Sequence, residues 1–131
     1  MIDCLILGDS IAVGTQQHKT ECTLSAKNGM NSWQFNKLYP QPFHSNTVII
    51  SLGSNDHAGV RTKEELENLR KRISPSSKVY WVLPAVKPNI QSIIQTIATE
   101  YKDTIVPISH TQSDGIHPST QGYKKIVQGI F

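Results

Sequence analysis

Three short apolar runs constrain the fold more than anything else in the chain: "CLILG" (4–8), "TVIISLG" (47–53) and "KVYWVL" (78–83). A strand with one wet face alternates apolar and polar residues. A continuous run indicates a strand buried on both faces, as in a parallel sheet covered by helices. Between the runs the apolar spacing changes to a helical period. Residues 10–18 can form a first helix, and "MNSWQFNKLY" (30–39) a second, ended by Pro40 and Pro42. In "TKEELENLRKRI", Thr62 and Glu65 read as a capping box, Leu66, Leu69 and Ile73 form one stripe, and acids lead while bases trail. From Pro88, suited to a first turn, Ile90, Ile93, Ile94, Ile97 and Ala98 share one face. The closing "STQGYKKIVQGIF" reads as a helix with Tyr123, Ile126, Val127 and Ile130 inward.

Two weaker strands complete the set. "ECTLSA" (21–26) reads as an edge strand, and "TIVPI" (104–108) carries Pro107, which suits an edge or a strand end. Five strands alternating with helices predict an α/β three-layer sandwich around a parallel sheet, with the flavodoxin-like order 2-1-3-4-5. No repeat or linker divides residues 1–131, so one domain is expected. At 131 residues such a domain buries roughly two-thirds of the surface its unfolded chain exposes.

Composition excludes several function classes. A net charge of +3 with scattered bases and no aromatic–basic interleaving argues against nucleic acid as a partner. The densest basic cluster, "RKR" at 70–72, falls at a predicted helix end and is expected to complement the dipole. No run is long enough to span a membrane. The first apolar run lacks a basic leader and a cleavage site, so a cytoplasmic chain is expected, with release by another route if a phage encodes it. Cys4 and Cys22 both lie in predicted strands that could be neighbours. A bridge is conceivable, and two buried free thiols are the expectation. Neither Cys nor His occurs at zinc-ligand spacing, and no cofactor or metal is expected. The oligomeric state is open, with a monomer expected.

In an open α/β sheet, ligands bind outside the carboxyl ends of the strands where strand order reverses, here between the first and third strands. "GDS" follows strand one and ends in Ser10; "KNG" follows strand two and ends in Gly29; "GSND" (53–56) follows strand three. Ser10 alone reads most simply as a helix cap. As a nucleophile it would need a base. "SDGIHPST" supplies a candidate, with Asp114 and His117 three apart before the last helix; an Asp beside a His fixes its tautomer and stabilises the imidazolium. Residues 109–118 can cover the ~14 Å of three strand spacings that separate this loop from strand one. Free N–H groups at the start of the first helix, the Gly29 N–H and the Asn55 amide could together hold an oxyanion.

These four blocks, "GDS", a glycine after strand two, "GSND" and "DGIHP", resemble those of the SGNH (GDSL-type) hydrolases, in that family's order over residues 8–118. The resemblance implies the family's fold, with Ser10 as nucleophile, His117 as general base and then acid, and Asp114 as its orienting partner. It also implies an oxyanion hole made by the backbone N–H groups of Ser10 and Gly29 and the side chain of Asn55. The fourth residue of the Gly-Asp-Ser-Leu signature is Ile11 here, and little in "SAKNGMNS" matches besides Gly29.

The implied activity is hydrolysis of a carboxylic ester through an acyl-enzyme. Short connections, with no insertion long enough for a lid, favour small acyl groups such as acetyl on a carbohydrate or cell-wall polymer. Two other readings remain: a non-catalytic glycan-binding module, and thioester hydrolysis or acyl transfer on the same site. Asp56 reads as a turn or capping residue. His57 follows Asp56 and could lie near the crevice and touch substrate, whereas His18, His44 and His110 read as ordinary polar residues. Trp33, Phe35, Tyr80 and Trp81 read as core or near-core aromatics, with Trp33 close enough after Gly29 to border the site.

Overall fold

The computed structural model describes residues 3–131. Strands and helices alternate throughout: β1 (Cys4–Gly8), α1 (Ser10–Gln17), β2 (Thr23–Ala26), α2 (Ser32–Leu38), β3 (Thr47–Ser51), α3 (Thr62–Lys71), β4 (Lys78–Val82), α4 (Pro88–Tyr101), β5 (Thr104–Val106) and α5 (Thr120–Ile130). The five strands form one parallel sheet in the order β2-β1-β3-β4-β5, the order the sequence predicts.

The continuous apolar runs are explained by two cores, one on each face. Leu7, Val48, Ile50, Val79 and Trp81 point to the side covered by α2, α3 and α4, against Phe35, Leu66, Leu69, Ile94 and Ile97. Ile6, Ile49, Val82 and Val106 point the other way, against Ile11 and Ala12 of α1 and Ile126 of α5. The apolar residues of the central strands therefore have a core to enter whichever way they face.

Local chemistry departs from expectation at several helix ends. Ser10 does not cap α1: Asp9 does, its side chain accepting from the Ile11 N–H, which leaves Ser10 as the first helical residue. No capping box forms at Thr62 and Glu65. The Thr62 hydroxyl donates to Asp56 instead, and Glu65 accepts from Asn36 of α2. A capping box does form at α2, between Asn31 and Gln34. The "RKR" cluster does more than face a dipole. Arg70 is buried and grips Asp103 at 2.7 and 3.0 Å, while Arg72 donates to Asn36 and to the carbonyls of Tyr39 and Gln41. Trp33 is no core residue: it is 50% exposed, whereas Phe35 and Trp81 are fully buried.

The two cysteines are not free thiols but a disulfide, Cys4–Cys22. The register explains the correction. Leu5 of β1 pairs with Thr23 of β2, so the residues just before them face each other, with Cα atoms 4.8 Å apart, within the span a disulfide bridges. Thiol titration of the denatured, unreduced protein should find no free thiol. Replacing both cysteines by alanine should cost about 3 kcal/mol in urea unfolding, as for a loop of comparable length.

Candidate functional site

The site grows from the aligned carboxyl ends of β2, β1 and β3. Gly8 pairs with Ala26 on one side and Ser51 on the other. A Cβ on Gly8 would lie 1.9 Å from the Ser51 carbonyl oxygen, so only glycine allows the strands to approach this closely. Beyond the sheet, the Asp9 N–H donates to Ser51 O and the Lys27 N–H to Gly8 O, holding the three outgoing chains together. Ser10, Gly29 and Asn55 lie two, three and four residues past that shared line.

Ser10 begins α1 with its hydroxyl 2.9 Å from His117 Nε2, across a separation of 107 residues. His117 Nδ1 lies 2.7 Å from Asp114 Oδ2. The Asp114 carboxyl is held at about 2, chiefly by the Ile116 backbone N–H, then by the His117 side chain and its backbone N–H. It is therefore an ionised acceptor at neutral pH, and Nδ1 must be the donor in that bond. In the neutral imidazole Nε2 then lacks a proton and accepts from the Ser10 hydroxyl. The exposed loop carrying both residues is closed by its own backbone, with Gln112 N–H donating to His117 O and Ser119 N–H to His110 O.

Gly29 sits at φ +76° with open space where a side chain would be, so its conformation and not crowding calls for glycine. Among the described residues, no protein acceptor takes the N–H of Ser10 or of Gly29. Asn55 Nδ2 donates to Met30 O at 3.1 Å, tying the third block to the second and leaving its other amide proton free. Serine, histidine and aspartate are thus hydrogen-bonded in series, and Asn55 is bonded beside Gly29. Among the described residues no cluster of His, Cys, Asp or Glu is disposed to hold a metal ion. His57 is exposed and accepts from the Gly59 N–H, on a depression shared with Lys87 and Asn89.

Three supporting residues escape sequence reasoning. Asp56 is buried and accepts from the Ser32 N–H, the Ser32 hydroxyl and the Thr62 hydroxyl, each at 2.8 Å, which locks the starts of α2 and α3 to the loop holding Asn55. Lys87, left-handed at φ 66°, donates from Nζ to the carbonyls of Ser54 and Asp56, one on each side of Asn55. Asp9 is fully buried. Its Oδ1 accepts from Ile11 and Ser51, while Oδ2 is the one buried side-chain polar atom without a partner among the described residues. Only the aspartates carried a sequence signal, inside "GDS" and "GSND"; nothing in the sequence marks Lys87.

No protein-family model matches the chain, and no curated protein matches it. Solved structures do. A GDSL-like lipase from Bacteroides thetaiotaomicron superposes with a TM-score of 0.65 at 19% identity, over 97% of this chain and 84% of that one. A "putative acylhydrolase" from Bacteroides fragilis superposes with a TM-score of 0.63 at 18% identity, over 96% of this chain and 84% of its own. The chain therefore has the fold of these GDSL-type structures.

Burial pushes the Asp9 carboxyl up to about 6, against the lowering effect of its bonds from Ile11 and Ser51. Folded Asp9 thus keeps a proton that the unfolded chain releases near pH 4, and stability falls as pH rises from about 4 to 6. Asp9→Asn keeps an acceptor for Ile11 and Ser51 and cannot ionise. The free energy of urea unfolding, measured from pH 4 to 7, should therefore decline by about 2–3 kcal/mol less in Asp9→Asn than in the parent.

Proposed function

We propose that the chain is a serine esterase that hydrolyses short acyl esters through an acyl-enzyme. The observation that carries this is the unbroken series Asp114–His117–Ser10, with the hydroxyl donating to a base whose tautomer the aspartate fixes. A structural serine cap would not explain it, because Asp9 already caps α1.

In this reading Ser10 Oγ attacks the ester carbonyl carbon and its proton passes to His117 Nε2. Negative charge develops on the carbonyl oxygen, where the N–H groups of Ser10 and Gly29 and the free Asn55 amide proton would receive it. The N-terminal end of α1 adds its positive field. As the intermediate collapses, the C–O bond to the leaving alcohol breaks and His117 returns the proton to that alcohol. Water then attacks the acyl-Ser10 carbonyl, gives a proton to His117, and the acid departs as Ser10 is re-protonated. Asp114 stays ionised throughout and stabilises the imidazolium that forms twice per turnover.

The connections between elements favour a small acyl group. Among the described residues the two longest, 107–119 and 52–61, carry Asp114 and His117 and Asn55, so they build the site itself rather than a cover for a long chain. The disulfide suits an oxidising compartment better than the cytoplasm, which fits an enzyme that meets its polymer outside the cell. Among the described residues no helix is long and apolar enough to cross a membrane.

A panel of 4-nitrophenyl esters of graded acyl length tests the proposal. Acetyl and butyryl esters should turn over fastest, and a fluorophosphonate probe should label the parent but not Ser10→Ala. Asn55→Ala should fold normally and lose about 100- to 1,000-fold in turnover. Faster hydrolysis of long-chain esters would overturn the acyl assignment, and labelling of Ser10→Ala would overturn the nucleophile.

A further inference from the structure

The exposed indole of Trp33 is unexplained by packing. The chain has two tryptophans. Trp81 is fully buried, with its Nε1–H donated to Asp103, whereas Trp33 and Leu38 on α2 are 50% and 52% exposed. Trp33 stands as a ridge between two depressions. On one side, a space of about 380 Å³ is bordered by Asn36, Glu65 and Arg72, whose polar groups bond to one another or to nearby backbone.

The other depression is different. It is an open-sided cleft of about 430 Å³ that starts at Gly29 and runs along α2 to Leu38. Several of its polar groups have no hydrogen-bond or ion-pair partner among the described residues. Lys27 and Lys37 make no ion pair among the described residues, and no acidic residue lines the cleft. Lys37 Nζ lies 5.6 Å from the Trp33 ring centroid. Gln34 uses its Oε1 for the Asn31 N–H, and among the described residues its NH2 group and the Asn28 amide have no partner. One aromatic face, two ammonium groups and two amides therefore share a cleft whose near end is the glycine beside Asn55.

Each group suits part of a ligand. Two exposed ammonium groups with no acidic neighbour give the cleft a positive potential that favours an anion. Free amides call for hydroxyl or ring oxygens, and an exposed indole flanked by such groups takes a flat C–H face. An alkyl chain would meet Met30, Trp33 and Leu38 and would leave the two amides and two charges without use. We propose that this cleft is a subsite for an anionic saccharide, which carries the ester to Ser10 by lying along α2 with its acylated unit at Gly29. The inference rests on the esterase reading for the reaction at Ser10, and on the cleft alone for binding.

The test uses Ser10→Ala, so that bound saccharide is not consumed, followed by tryptophan fluorescence and calorimetry. Trp33 is the exposed reporter. Tetragalacturonate and phosphorylated mannopentaose are the anionic probes, unmodified mannopentaose the neutral one, and decanoate the alkyl one. At least one anionic probe should bind and change the fluorescence, and the one that does identifies the anion as carboxylate or phosphate. Binding should weaken about tenfold when Lys27→Gln and Lys37→Gln are combined, and should fall as salt is raised. Trp33→Ala should weaken it about 30-fold by calorimetry. Melting curves should show these exposed-site variants folded.

Equal binding of the neutral saccharide, indifference to the lysine changes, or binding of decanoate alone would overturn the subsite. The parent's turnover of 4-nitrophenyl acetate separates the two readings. Turnover without saccharide binding removes the subsite and keeps the esterase. Saccharide binding without turnover keeps the subsite and removes the esterase.

Discussion

Close contact of β1 with β3 at Gly8 is the constraint on which the rest of the site depends. The Ser51 carbonyl occupies the space a Gly8 side chain would fill and then accepts the Asp9 N–H. The chain is thereby turned out of the sheet and directly into α1, with no intervening loop in which Ser10 could wander. On the other side, Gly8 O takes the Lys27 N–H and starts the segment that reaches Gly29. Backbone hydrogen bonds thus set three exit points, and these decide where the side chains can go. A parallel sheet brings such exits to one edge of the molecule, because every strand ends on the same side.

Three buried aspartates serve this arrangement in different ways. Asp103 meets Arg70 and the Trp81 indole, a paired charge that fixes α3 and β4 beneath the sheet's far side. Asp56 is saturated by neutral donors and joins two helix starts to the Asn55 loop. Asp9 alone keeps an unpartnered oxygen. A buried charge without full compensation is costly, so the position that places Ser10 is held at the expense of stability. The other two positions carry no such debt of unmet hydrogen bonds. The least satisfied of the three carboxyl environments is therefore the one adjoining the Ser10 hydroxyl.

The sheet was legible because its signal is collective. Ile6, Leu7, Val48, Ile49 and Ile50 need two apolar faces, and only a covered parallel sheet offers both. The four blocks were legible for the same reason, since spacing along strand ends is a property of the fold. What the sequence hid depends on single contacts between distant residues. Thr62 looks like a cap until Asp56 takes its hydroxyl, and Cys4 and Cys22 look like thiols until the β1–β2 register sets them side by side. Trp33 looks like core because hydrophobicity alone does not say which face of α2 meets the sheet. Phe35, two residues on, takes the buried face.

The two halves of the site are held by opposite strategies. Ser10 and Asn55 are fixed by the whole fold, through β1, β3, Asp56 and Lys87. Asp114 and His117 sit on an exposed loop, and their geometry is almost entirely local: one carboxylate takes two backbone N–H groups and one imidazole within three residues. Contacts between residues two and three apart close very short loops, so bringing the partners together costs little chain entropy. Its anchorage reaches only a little further along the chain. Thr111 bridges to Pro118, and Gly122 of α5 packs so closely on His110 that a Cβ there would come within 2.1 Å of the carbonyl. The loop is thereby presented as a unit to a serine set at the start of α1, and the 2.9 Å contact between them is the point where the two strategies meet.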